Sequence, residues 1–441
     1  MRLRHPAQYV VVAFVSASVI GAALLMIPAA SHEPGSPPVM TAFFTATSAV
    51  CVTGLIVVDT AGHWTLFGEL VVLGLIQIGG FGIMTLSSLI AVFLAGRLGL
   101  RHRIVAAAER GTLSLGDVRR FVIGVARFSL MIETLVAALL FWRFATVHGE
   151  PVGRAGYLGV FHAVSAFNNA GFALFEDSLV SFATDPVLVL VIAVAVVVGG
   201  LGFPVWLEIA HQPRRPRGWS LHAKITVFTT IGLLLVGWSL MMWFEWTNPD
   251  TVGPMSVGDS MLNGLFHSVT PRTAGFNSID VASMREPSRL LTEVLMFIGG
   301  GSGSTAGGIK VTTFALLGWV MWAEVRGEGD VTVFSRRVPE SAQRQALTVA
   351  LLAIGVVVAG TMLLMAFSGL PRDDLLFETV SAVGTVGLSA GATPSIPVPG
   401  QLLVVGLMLL GRVGPITLFA ALVLRERRRL YRLPEERPII G

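Results

Sequence analysis

Apolar residues along the 441-residue chain gather into runs too long for the core helices of a soluble domain. Tyr9 to Ile27 is one such stretch of 19 residues, and others lie near 66–96, 121–147, 186–210, 223–246, 288–324, 345–368 and 400–424. About 20 predominantly apolar residues in a helix cross the roughly 30 Å hydrocarbon core of a bilayer. The pattern therefore predicts eight crossings, the sixth interrupted by glycines. Met1 to Ser31 has the layout of a secretory signal, with Arg2 and Arg4, an apolar run, then Pro28-Ala29-Ala30. Its apolar stretch exceeds the about 7 to 15 residues of a signal core, so it is read as a retained span.

The outward connections between these runs are too apolar for ordinary loops. Four hold a short helical segment followed by a glycine-centred turn: Phe44 to Leu55, Phe161 to Phe172, Leu265 to Phe276 and Phe377 to Leu388. Aligned on Gly54, Gly171, Gly275 and Gly387, the residue ten positions earlier is Phe44, Phe161, Leu265 or Phe377, and the residue six earlier is Ser48, Ser165, Val269 or Ser381. A fourfold repeat at this spacing is an architectural signal. It predicts four units of span, re-entrant segment and span, at 1–110, 111–216, 217–328 and 329–441.

The second span of each unit carries small residues: Gly79-Gly80-Phe81-Gly82, Gly199-Gly200-Leu201-Gly202-Phe203-Pro204, Gly299 to Gly303, and Gly411-Arg412-Val413-Gly414-Pro415. Close packing through small residues accounts for the first two. The third is different, because Gly299, Gly300, Gly301, Gly303, Gly307 and Gly308 stand with Ser302, Ser304, Thr305 and Ala306 in ten residues, just before Lys310. A helix there would lose about 1 kcal/mol per glycine relative to alanine. The stretch 299–310 is read as a broken helix or loop at membrane depth, which is tolerated only where protein or a water-filled cavity satisfies its backbone.

Composition narrows the class. Only 13% of residues are charged, against about 25% in soluble domains, and mean hydropathy is +0.74. A lone cysteine, Cys51, excludes an intrachain disulfide and multi-cysteine metal centres. The net charge of +4 belongs to membrane topology rather than nucleic-acid binding. With a cytoplasmic N-terminus, 22 of the 31 lysines and arginines fall inside, at Arg2, Arg4, and within 97–120, 214–224, 326–344 and 425–437. Arg154, Arg272, Arg285, Arg289 and Arg372 fall outside, so both termini are placed in the cytoplasm. The basic run at Arg425, Arg427, Arg428 and Arg429 suits anionic headgroups of the lipid bilayer.

Catalytic motifs are absent. Gly303-Ser-Thr-Ala-Gly-Gly308 resembles the start of a phosphate loop, but Ile309 stands where lysine is required. His63, His162, His211 and His267 lack the spacing of a metal pair, and no nucleophile elbow is present. The chain is not read as an enzyme.

The four turns suit a cation. An ion leaving water must exchange its hydration shell for oxygens, and backbone carbonyls supply them where glycine permits φ > 0. Gly384-Thr385-Val386-Gly387-Leu388 is close to the TVGYG filter of potassium channels, and the other three turns are degenerate versions of it. On these motifs the sequence resembles the Trk/Ktr/HKT superfamily of potassium transporters, and within it the bacterial KtrB/TrkH potassium-translocating subunits. The resemblance covers nearly the whole chain. It implies an all-α polytopic membrane protein of four M1–pore helix–M2 repeats, with eight transmembrane helices and four re-entrant pore helices around one pore of pseudo-fourfold symmetry.

In that picture the filter is formed by Val52, Thr53 and Gly54; Asn169, Ala170 and Gly171; Thr273, Ala274 and Gly275; and Thr385, Val386 and Gly387. Their glycine carbonyls hold K+. Members with serine at the first filter glycine tend to admit sodium, and Gly54 favours potassium. The resemblance further implies an intramembrane gate from Gly299, Gly300, Gly301, Ser302, Gly303, Ser304, Thr305, Gly307, Gly308 and Lys310. It implies a homodimer in a bacterial cytoplasmic membrane, a separate cytosolic nucleotide-binding regulatory ring (KtrA/TrkA-like), potassium as the ion carried with sodium as a candidate activator, and no covalent cofactor.

Arg412, in the middle of an apolar span, costs at least about 2.5 kcal/mol to insert, so it must face water or a partner group. Two roles fit it: a carbonyl or acid contact that stabilises the bundle, or a charge facing the pore beside the gate. Asp59, Glu69, Glu176, Asp177, Asp280, Asp373, Asp374 and Glu378 form an acidic outer rim in this reading. The rival class is a sodium- or proton-coupled secondary transporter, for which inverted repeats are common, whereas these four repeats all run the same way.

Overall fold

The computed structural model describes residues 6–98 and 115–424. Arg2, Arg4, the arginines of 101–110, the basic run Arg425 to Arg437 and the expected boundary at 110/111 lie outside them.

In chain order the helices are α1 (Pro6–Leu25), α2 (Val39–Val50), α3 (Thr60–His63), α4 (Leu66–Leu98), α5 (Leu115–Thr146), α6 (Val152–Phe167), α7 (Pro186–Leu201), α8 (Phe203–His211), α9 (Leu221–Glu245), α10 (Val257–Val269), α11 (Glu286–Phe297) and α12 (Val311–Arg326). A two-residue hairpin of β1 (Thr332–Val333) and β2 (Arg336–Arg337) precedes α13 (Glu340–Phe367), α14 (Arg372–Gly384) and α15 (Val398–Leu424). Helix starts follow local chemistry. Asp185 accepts from the N–H groups of Val187 and Leu188 at 3.1 Å each, with Pro186 at the first helical position of α7. Ser256 caps α10, its Oγ accepting from the Asp259 N–H at 3.2 Å and donating to the Asp259 carboxylate at 2.7 Å.

Four helices are by themselves long and apolar enough to cross a membrane: Leu66–Leu86, Phe121–Thr146, Leu221–Glu245 and Glu340–Phe367. The pair α7 and α8 makes a fifth if counted as one span, but it is bent by 94°. Val10–Leu25 and Val398–Gly414 are shorter apolar helices, and the run 288–324 is divided into α11 and α12. Among the described residues, length and composition alone thus mark four or five crossings, where the hydrophobic pattern predicts eight.

The bend in α7–α8 departs from the expectation that packing alone explains the glycines at 199–202. Gly202 takes φ +92°, and Pro204, which has no N–H to bond back into α7, stands in the first turn of α8. Packing is present as well. A Cβ on Gly79, Gly199 or Gly411 would come within 3.0 Å of the carbonyl oxygen of Val50, Phe167 or Val383, each four residues before a turn glycine. The small residues therefore bring the second helix of a unit against the end of its short helix.

The contacts between units close on themselves. Helix α4 packs against α6, α7 against α10, α11 against α14, and α15 against α2 and α1. The short helices α2, α6, α10 and α14 lie inside this arrangement, and their C-terminal halves are buried.

Candidate functional site

The short helices all end at the turns that follow them, with C-caps at Cys51, Asn168, Thr270 and Thr385. Their C-terminal carbonyls, the negative ends of the helix dipoles, thus converge on one region and favour a cation there.

The turns share a backbone. Gly54, Gly171, Gly275 and Gly387 have φ of +90°, +71°, +80° and +94°, and two residues earlier Val52, Asn169, Thr273 and Thr385 have φ of +54°, +60°, +74° and +50°. The second set is not legible from composition, because none is glycine. Each non-glycine residue held there costs of order 1–3 kcal/mol and persists only where its surroundings over-determine it.

Those surroundings are hydroxyls. Gly54 and Gly387 donate their N–H groups to the Oγ of Ser48 and Ser381, both at 3.0 Å, and Ser165 donates to the Phe172 carbonyl at 2.7 Å. In the third turn Val269 occupies the corresponding position, and Thr270, one residue nearer the glycine, donates to the Phe276 carbonyl instead. The main chain shifts with it. Thr53, Ala170 and Val386 bond to the carbonyls of Ser48, Ser165 and Ser381, whereas Ala274 bonds to that of Thr270.

The turns meet in cyclic order. A Cβ on Gly54 would lie within 3.0 Å of the Ala170 carbonyl oxygen, on Gly171 of Ala274, on Gly275 of Val386, and on Gly387 of Thr53. All twelve expected turn residues, 52–54, 169–171, 273–275 and 385–387, therefore come together, each glycine against the carbonyl preceding the next. Asn169 and Thr273 also touch across this boundary, amide to hydroxyl at 3.3 Å.

The stretch 299–310 is non-helical, as expected, and buried except for half-buried Ser302 and Lys310. Its base is stapled where Ile298 pairs with Ile309 in parallel, with Gly299 N–H to the Ile309 carbonyl at 2.8 Å and Val311 N–H to the Gly300 carbonyl at 3.1 Å. Its backbone also serves the break in the second unit. Gly301 and Thr305 donate to the carbonyls of Gly200 (2.8 Å) and Gly199 (3.3 Å), which lack helical partners at the end of α7. Gly307 presses against Thr385 and Gly384 of the fourth turn, and Lys310 donates to the Ala306 carbonyl at 2.5 Å.

Arg412 is 3% exposed, and its guanidinium donates to the Thr305 carbonyl at 2.5 Å. The contact is with a carbonyl, and that carbonyl belongs to the loop.

Four side chains are placed differently from what linear position suggests. Arg272, assigned there to the outside, is 7% exposed and lies in the third turn. Glu378, assigned to the rim, is fully buried and accepts from Ser389 (2.5 Å), the Ala390 N–H (3.1 Å) and Thr393 (2.5 Å), tying down the segment after the fourth turn. His162 does the same in the second unit, accepting from the Leu174 N–H at 3.3 Å. His162 and Glu378 both stand nine residues before their glycines, and the N–H groups they hold stand three after, a register that could have signalled the pair. Glu69 also leaves the rim, buried against the hydroxyl of Tyr157 at 2.6 Å.

A family model described as TrkH, cation transport protein, matches residues 1–428. The chain belongs to the TrkH family of cation transport proteins. It is 38% identical to the Ktr system potassium uptake protein B of Bacillus subtilis, over 99% of this chain and 97% of that one. The protein of the same name from Vibrio alginolyticus is also 38% identical, over 98% and 94%. The potassium/sodium uptake protein NtpJ of Enterococcus hirae is 35% identical over 99% and 97%. In fold the chain is similar to the potassium transporter TrkH from Vibrio parahaemolyticus, with a TM-score of 0.74, 19% identity, and coverage of 97% of this chain and 86% of that one. As a member of the TrkH family it is an all-α membrane transport protein rather than an enzyme.

Proposed function

We propose that this TrkH-family chain is the ion-translocating subunit of a bacterial potassium uptake system. Its eight transmembrane helices and four pore helices enclose one pore of pseudo-fourfold symmetry, and potassium is held by the backbone carbonyls at and before Gly54, Gly171, Gly275 and Gly387. The observation that carries this reading is the closed cycle of four turns, each with left-handed backbone at the glycine and two residues before it. Such a backbone turns successive carbonyls toward a common axis, where they replace water around a dehydrated cation.

The loop 299–310 lies against the second and fourth turns and is the gate, held in place by Arg412 through Thr305. The chain works as a homodimer in the cytoplasmic membrane, with both termini in the cytoplasm, beneath a cytosolic nucleotide-binding ring that moves the loop. The names of the relatives, potassium uptake for the two Ktr system proteins and potassium/sodium uptake for NtpJ, support the choice of ion.

The test is growth of a potassium-uptake-deficient bacterium at low potassium, expressing this chain with and without a cytosolic regulatory subunit. Rescue that strengthens with the subunit is expected. Absence of rescue with both proteins present in the membrane fraction would refute the reading. Rescue that requires a sodium or proton gradient would favour the coupled transporter instead.

A further inference from the structure

Of the four turns, only the third carries a charge three residues before its glycine. The corresponding residues are Cys51, Asn168, Arg272 and Gly384. The third turn is also the one in which the serine is replaced by Val269, and it belongs to the unit whose second span is opened by the loop 299–310.

The Arg272 side chain turns away from the ring and spans two other elements. Its guanidinium donates to the Thr230 carbonyl at 3.2 Å and the Thr230 hydroxyl at 3.3 Å in α9, and to the Gly299 carbonyl at 3.4 Å. Gly299 is the first residue of the loop and half of its staple, since its N–H bonds to Ile309. One side chain therefore connects left-handed Thr273, its neighbour in the turn, to the base of the loop. A buried guanidinium is tolerated only where carbonyls and hydroxyls replace its water, and the planar fork is the geometry that reaches two acceptors on different elements at once.

We propose that Arg272 is a positioning residue that couples the third turn to the loop, so that the carbonyl ring and the closed position of the loop are set through one guanidinium. The proposal rests on the reading of these elements as filter and gate. Losing the fork frees the loop at its base and releases the turn that holds Thr273. Opening and discrimination are then disturbed by the same change.

The test is potassium and sodium flux into liposomes holding the purified full-length chain without any cytosolic partner. Arg272→Gln and Arg272→Lys are compared in the intact chain and in a chain lacking residues 302–306. Lysine keeps a cation in the pocket but cannot fork to both carbonyls, so it serves where glutamine lowers the yield. With the loop intact, both variants are expected to raise potassium flux about tenfold, the factor associated with one lost charge-assisted hydrogen bond. In the shortened chain that rise should vanish, while the loss of potassium-over-sodium preference persists in both backgrounds. A rise of equal size in both backgrounds, or unchanged flux and preference in folded variants, would overturn the coupling while leaving the gate standing. Unchanged flux on shortening the loop alone would overturn the gate reading and the coupling with it.

Discussion

The turns at 52–54, 169–171, 273–275 and 385–387 and the loop at 299–310 are both glycine-rich backbone inside an apolar bundle, yet they settle their polar groups in opposite ways. Each turn is supported from within its own unit, by a hydroxyl five or six residues earlier in the chain, and it leaves its carbonyls directed at the neighbouring turn. The loop is stapled to itself at its base, and it is otherwise held from elsewhere: by Gly199 and Gly200 of α7 and Arg412 of α15 in other units, and by Arg272 of the third turn in its own. A geometry built four times is written four times in the sequence, with its support beside it. A geometry built once borrows support across units, and it can be released by moving any of those units.

The largest expected effect lies in the turns. Gly54→Ser or Gly275→Ser puts a Cβ within 3.0 Å of the next turn's carbonyl and adds about 1–3 kcal/mol of backbone strain at positive φ. Potassium-over-sodium preference in flux assays should fall by about tenfold or more, in line with that strain. Unchanged preference in both variants would remove the turns from the filter.

Shortening the stretch Gly299 to Gly308 should do the reverse, raising cation flux and reducing dependence on a partner while leaving preference intact. Poor yield with no flux would mean instead that the loop is a structural element of the bundle.

Arg412→Gln removes one of the supports that the loop borrows. Flux should rise by a smaller factor than on shortening, because the contacts to Gly199 and Gly200 remain. Reduced thermal stability with unchanged or lower flux would assign the Thr305 contact to bundle stability alone.

The smallest effect probes the local support of a single turn. Ser381→Ala leaves the Gly387 N–H without its acceptor, at a cost of about 1 kcal/mol. Preference should weaken slightly, with loop behaviour untouched. A change in partner dependence in this variant would dissolve the contrast between self-supported turns and a borrowed loop.

Away from both regions, burial pushes the Asp185 carboxyl up, but Arg143, His148 and the Leu188 N–H outweigh it and hold the group below the ordinary carboxylate range. Its contribution to stability is therefore complete above that range and is lost as pH falls through the lowered value. Asp185→Asn should lower the melting temperature at neutral pH, and the difference from the parent chain should shrink on strong acidification. A constant difference down to pH 2 would show that the charge does not carry the effect, since asparagine caps α7 as well as aspartate does.

The glycines of the turns, the serines six residues before three of them, and the interruption at 299–310 could all be read from the chain. Each is a local requirement: an apolar length matched to a bilayer, a residue that tolerates positive φ, or a run of glycine that no helix holds. The bend at Gly202 had a local signal in Gly202-Phe203-Pro204, which was masked because the same glycines also serve close packing. Of left-handed Val52, Asn169, Thr273 and Thr385, only Asn169 is a residue type that favours that conformation; the others are held by the hydroxyl and main-chain bonds around their turns. Arg272 and Glu378 were placed by linear position on the outer side, where charge belongs when only solvent is considered. The tertiary structure buries both, because a carboxylate or guanidinium surrounded by hydroxyls and backbone groups of other elements no longer needs water. The sequence by itself thus determined which segments repeat and which residues permit the strained backbone. Only the assembled bundle decided which carbonyls face one another and which side chains reach across units, because those distances depend on helices far apart in the chain.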